Sequence, residues 1–254
     1  RCRMHLFSEP DHNGDPVGMR LEARERPALP DEAITLRGRY CQLEPLDAST
    51  HSADLFAAYE LDTEHRLWTY IPNGPWRSAQ ELQTWIESVH HKADPFFYAI
   101  IDRATGRAVG IASYLRVDPN NQSIEVGYIT YSNLMQRTPI ATECMFLMMR
   151  NAFDMGYRRY EWKCNSMNRP SISAAMRLGM SFEGLFRQHT MAKGHNRDTA
   201  WFAIIDKDWD VARAAFETWL HPNNFDADGT QKQRLSDLTA PVVYDRWPTL
   251  TVTS

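Results

Sequence analysis

The sequence predicts a mixed α/β (α+β) domain: a central, mostly antiparallel sheet of about seven strands, flanked by helices. Three observations carry this. Runs rich in β-branched and aromatic residues recur between turn signals from residue 96 to 131. Beyond them, runs of helical and strand character alternate to residue 220. The 254 residues, 43% hydrophobic and 24% charged, suffice for one well-buried core and are few for two.

Residues 1–33 carry Gly14, Pro16, Pro27 and Pro30 among charged residues, the composition of an extended or disordered N-terminal arm. Thr35 to Leu46 reads as a first strand. His51 to Glu60 and Ser78 to His91 read as helices. In the second, Leu82, Trp85, Ile86 and Val89 recur at helical spacing behind a Ser78-x-x-Glu81 capping box. Between them, the aromatic and proline-rich loop Trp68 to Trp76 either covers the core or shapes a cleft.

Phe96 to Ile101 and Val109 to Val117 flank Asp102-Arg103-Ala104-Thr105-Gly106, a hairpin signal. A second turn at 118–121 leads into a fourth strand ending at Tyr131. Ile140 to Met155 is a long helix, apolar over much of its circumference and stopped by Gly156. Arg158 to Cys164 is a fifth strand, and Pro170 to Leu178 a short helix. Ser181 to Ala192 and Asp198 to Ile205 are the last two strands, before an amphipathic helix from Asp208 to Leu220. The expected organisation is an arm (1–33), one domain (34–221) and a C-terminal tail (222–254) of low periodicity.

The segment Gln136-Arg137-Thr138-Pro139-Ile140-Ala141-Thr142-Glu143 links the fourth strand to the long helix. Such a turn points backbone N–H groups and a helix dipole at one spot, which suits a phosphate or pyrophosphate; an ordinary strand-to-helix loop has the same spacing. Glu125 faces away from Ile124 and Val126 on its strand, either as a candidate base or as a salt-bridged strand residue. Asn168 and Ser171 have the residue types of a helix cap. Trp76 and Tyr114 are candidate acceptor contacts or core aromatics.

The element order β-α-α-β-β-β-α-β-α-β-β resembles that of the GNAT N-acetyltransferase superfamily over roughly residues 34–207. Gln136 and Ala141 match its Gln/Arg-x-x-Gly-x-Gly/Ala signature, while Pro139, which has no N–H, stands where the first glycine is usual. Glu125-Val126-Gly127-Tyr128, Asn168-x-x-Ser171, Arg177-Leu178-Gly179-Met180, Phe182-Glu183-Gly184 and Lys193-Gly194-His195-Asn196-Arg197-Asp198-Thr199 are most similar to the ribosomal-protein alanine N-acetyltransferase branch.

The resemblance implies a site. Gln136, Arg137, Thr138, Ile140, Ala141 and Thr142 would hold the pyrophosphate of acetyl-CoA. Splayed fourth and fifth strands would take the pantetheine arm along an edge that includes Tyr128 and Ile129. Asn168 would contact that arm, Ser171 would protonate the leaving thiolate, and Glu125 would take the amine proton. Many relatives place a tyrosine where this chain has Ala175.

Acetyl-CoA is thus the expected co-substrate, with no metal. The acceptor is a small-molecule amine or a peptide N-terminus; the alternative is a non-catalytic acyl-CoA-binding protein of the same fold. Arm and tail are expected to be dispensable for CoA binding, with capping of the acceptor cleft or self-association left as roles for them. A net charge of −4 argues against bulk nucleic-acid binding and hints at cationic amines. Cys2, Cys41, Cys144 and Cys164 have no metal-ligand spacing and read as free thiols. No run approaches membrane-spanning length. A cytoplasmic monomer or homodimer, without nucleic-acid or membrane partners, is expected.

Overall fold

Alternation of apolar and polar residues builds a single eight-stranded sheet in the computed structural model, which describes residues 7–248. Its strands run in the order β3-β4-β5-β6-β7-β8-β10-β9: β3 (Leu36–Arg37), β4 (Cys41–Pro45), β5 (Phe96–Asp102), β6 (Arg107–Asp118), β7 (Ser123–Tyr131), β8 (Arg159–Asn165), β9 (Ser181–Ala192) and β10 (His195–Ile205). Neighbours pair antiparallel except β7 and β8, which are parallel. The expected mixed fold is therefore present, with one strand more than the sequence suggested.

The extra strand arises at Gly38-Arg39-Tyr40. Glu143, buried on α3 (Pro139–Asp154), accepts the N–H groups of Arg39, Tyr40 and Cys41 at 2.6–2.8 Å and folds Thr35–Leu46 back on itself. A Cβ at Gly38 would lie 2.4 Å from that carboxylate, so only glycine permits the approach.

On one sheet face pack α3, α4 (Arg169–Arg177) and α5 (Asp206–Leu220), around Tyr98, Tyr114, Ile124, Tyr160 and Phe202. Against the other face lie α1 (Ala48–Tyr59) and α2 (Ala79–Val89), whose Leu55, Leu82 and Ile86 meet Phe97, Ala99 and Ile101. Consecutive residues of β5 thus serve opposite cores, as a two-residue period requires.

The flanks are more ordered than their composition suggested. In the arm, β1 (Ser8–Pro10) and β2 (Pro16–Gly18) form a hairpin whose turn is held by the Asp11 carboxylate on the N–H groups of Asn13 and Asp15. The Tyr157 hydroxyl donates to the Ala28 carbonyl at 3.0 Å, and Arg24 pairs with Asp206 at 2.6 Å, tying the arm to the body. In the tail, α6 (Leu235–Leu238) and the turn after it bury Leu235 and Val242 in the main core.

Candidate active site

Where two parallel neighbours part, backbone groups lose their partners and a ligand can take their place. β7 and β8 pair at Ser123–Val126 against Arg159–Trp162, and no pairing continues beyond Val126. On its other side β7 shifts register against β6 between Ile111 and Ser113, and Tyr128 there has a φ of +50°. That bulge turns the strand and re-aims its peptide groups. The expected splay is present, and a cleft of about 1060 Å³ opens in it.

At one end the cleft meets the loop 136–142. Arg137 has a φ of +61°, and Thr138 starts α3 without a side-chain cap, its hydroxyl donating instead to the Met135 carbonyl at 2.7 Å. The first N–H groups of α3, save that of Pro139, are left for an outside acceptor. Gln136 is a brace, its amide donating to the Tyr131 carbonyl at 2.8 Å. Gln136, Arg137, Thr138, Ala141 and Thr142 line the cleft with Tyr128 and Ile129. Ile140 is not among the lining side chains; its carbonyl faces the Cys41 thiol at 3.8 Å.

Deeper in, Asn168 caps α4 by accepting the Ser171 N–H at 3.2 Å, and both residues line the cleft. The Trp162 indole N–H donates to Ser171 Oγ at 3.0 Å. With a lone pair so occupied, the Ser171 O–H is polarised, and the sulfur of Cys164 lies within its reach. Cys164 borders the same spot; burial pushes its thiol up to about 11, opposed by Ser171 and by the charge of Arg197. That makes it a packed thiol rather than a nucleophile.

Glu125 does not stand alone. Its buried carboxylate accepts from Arg116 Nη1 at 2.7 and 2.8 Å and from Lys163 Nζ at 2.7 Å. Lys163 also pairs with Glu161 at 2.8 Å and lies 3.8 Å over the Trp201 ring. The salt-bridged alternative is thus realised. Glu125 is nonetheless the one acidic side chain among the described residues that line the cleft.

The aromatic loop roofs the cleft. Tyr70, Ile71 and Pro72 line it, the Tyr70 hydroxyl donates to the Met167 carbonyl at 3.1 Å, and the Lys193 ammonium donates to the Trp68 carbonyl. The two aromatics expected to touch acceptor do other work. Tyr114 is wholly buried, with its hydroxyl donating to the Met148 carbonyl at 2.6 Å, and has no surface to offer. Trp76 packs between Trp68 and Trp85, away from the cleft lining.

Sequence reasoning missed Trp162, Lys163 and the far wall. Arg177 belongs to the Arg177-Leu178-Gly179-Met180 motif, which by itself gives it no role. Here its Nη1 donates to Thr142 Oγ1 at 2.9 Å and its guanidinium lies 4.8 Å over Trp219. Phe225, Gly229, Thr230 and Gln231 complete that wall, so the tail expected to be dispensable borders the site. An anion-ready loop, an unpaired strand edge and a hydroxyl at the far end fit an elongated ligand with phosphates, a peptide-like arm and a terminal thiol. Among the described residues, no group of three His, Cys, Asp or Glu side chains is placed to hold a metal, and no helix is long and apolar enough to cross a membrane.

The sequence matches the acetyltransferase (GNAT) domain family over residues 42–181. A GCN5-related N-acetyltransferase from Brucella melitensis is 41% identical, with a TM-score of 0.84, over 87% of this chain and 100% of that one. A probable acetyltransferase (GNAT family) from Chromobacterium violaceum is 35% identical, with a TM-score of 0.71, over 77% and 98%. The fold is shared with RimL, a ribosomal L7/L12 alpha-N-protein acetyltransferase solved with coenzyme A, at 20% identity and a TM-score of 0.57 over 68% and 98%. No curated protein matches the sequence.

Proposed function

The chain belongs to the GNAT acetyltransferase family and is an N-acetyltransferase, and we propose that it moves an acetyl group directly from acetyl-CoA to a primary amine in a ternary complex. The observation that carries this reading is the uncovered edge of β7 beyond Val126, which leads from the 136–142 loop to Ser171. Acetyl-CoA supplies an activated thioester; everything else is the work of the chain.

The 136–142 loop and Arg177 would seat the phosphates, and the β7 edge at Tyr128 and Ile129, with Asn168, the pantetheine arm. Ser171, its oxygen held by Trp162, would give its proton to the departing sulfur. Water can then restore that proton. Glu125 would receive the proton lost by the amine, directly or through water, while Arg116 and Lys163 hold its carboxylate in place. The acceptor is a small-molecule amine or a peptide N-terminus.

Thr138→Glu places a carboxylate at the phosphate loop. Repulsion of roughly 1 kcal/mol or more at contact distance should weaken CoA binding by about five-fold or more in calorimetry. Unchanged affinity in a folded variant would move the cofactor elsewhere.

A further inference from the structure

Six cationic side chains line the cleft: Arg66, Arg116, Arg137, Lys163, Arg177 and Arg197. Three are accounted for by carboxylates. Arg66 pairs with Glu64, Arg116 with Glu125, and Lys163 with Glu125 and Glu161. Around these, Arg159 bridges Glu161 and Glu183, so the cluster under the acceptor side is closed: three cations, Arg116, Lys163 and Arg159, against three carboxylates. Arg137, Arg177 and Arg197 make no ion pair among the described residues.

Their positions separate them. Arg137 belongs to the phosphate loop, and Arg177 touches Thr142 in the first turn of α3. Phosphates of CoA would supply anions to both. Arg197 lies at the other end. It is half-buried on β10, two residues before Thr199, which pairs with Asn165, and three before Ala200, which pairs with Cys164. Its Nε donates to Thr199 Oγ1 at 3.2 Å, and among the described residues neither terminal nitrogen of the guanidinium has a partner. Its charge reaches the Cys164 sulfur, which sits beside Ser171, where the thioester would lie.

The pantetheine arm and the acetyl group carry no charge. A partly desolvated guanidinium at that end therefore has no anion from either the protein or the cofactor, and a fork of two N–H donors suits a carboxylate or phosphate. We propose that Arg197 is the anion receptor of the acceptor subsite, so that the preferred acceptors are small amines bearing an acidic group a few bonds from the nitrogen. This rests on the transferase reading above. It reverses the hint from net charge: the charge that decides is local. It also favours a free amino acid or aminoalkyl phosphate over a peptide N-terminus, whose next group is a neutral amide.

The test is thiol release from acetyl-CoA with matched acceptors: amino acids against their amides, and aminoalkyl phosphates against the parent alkylamines. One fork of charge-assisted bonds should favour the acidic member of the best pair by about 10–100-fold in kcat/KM. In Arg197→Gln that preference should collapse while calorimetric CoA affinity is kept, and Arg197→Lys should restore part of it. Which pair leads identifies carboxylate or phosphate. Equal use of both members by the unaltered enzyme, or an equal loss for both in Arg197→Gln, would overturn the assignment. Release with the non-acidic members alone removes this inference and leaves the transferase reading standing. Binding of CoA with no release from any amine removes both.

Discussion

Two glutamates are buried among the described residues, Glu125 and Glu143, at 3% and 4% exposure, and they are held in opposite ways. Glu143 has three backbone N–H groups, those of Arg39, Tyr40 and Cys41, all from one turn. Glu125 has two side-chain cations, Arg116 and Lys163, and lines the cleft. Burial alone does not separate a working carboxylate from a structural one. Partners do. Backbone donors fixed in a turn make a staple, because neither side can move without exposing unsatisfied groups. Side-chain cations beside a cleft leave room for a substrate or water to share the oxygens.

The comparison breaks first at Glu143. Glu143→Ala leaves three N–H groups without their acceptor, and at about 1–3 kcal/mol for each unsatisfied group the fold should lose roughly 3–5 kcal/mol after partial hydration. Denaturant unfolding measures it. A loss below about 1 kcal/mol would mean that the turn finds water without cost, and the staple would be no staple.

Glu125→Gln sharpens the other half. The amide keeps the shape and an acceptor oxygen but not the proton-accepting charge. Turnover should fall by about 10²–10⁴-fold, the range of a positioned general base, while CoA affinity stays close to that of the unaltered enzyme. The pH–rate profile should change shape as well. Full rate at every pH would reduce Glu125 to the salt-bridged strand residue that its partners also describe, and the acceptor would then have to arrive deprotonated.

The contrast also shows what the sequence makes legible. Strands β5 to β10 follow from alternation and turn residues, which act over a few neighbours, and their bounds lie within about three residues of the expected ones. Glu125 was found because it stands in a local motif on a readable strand. Glu143 was not singled out, because its partners are backbone groups about a hundred residues away, and no residue type at positions 39–41 announces them. The same turn split the expected first strand.

Tyr114 was read as an acceptor contact or a core aromatic, and only packing decides between these; its hydroxyl meets a helix carbonyl that no spacing reveals. The tail shows the limit most plainly. Its sequence has low periodicity, yet Leu235 and Val242 are in the core and Phe225 and Gln231 border the cleft, each placed by contacts with distant elements.

The central claim is acetyl transfer through this cleft. Thiol release from acetyl-CoA, followed with a panel of primary amines and matched to acetylated product by mass, tests it most directly. Amine-dependent release is expected, one thiol for each acetylated amine, with a rate that falls in Ser171→Ala by less than in Glu125→Gln because water can replace a hydroxyl. CoA binding without amine-dependent release from any member of the panel would contradict it, and the chain would then bind the cofactor without using it.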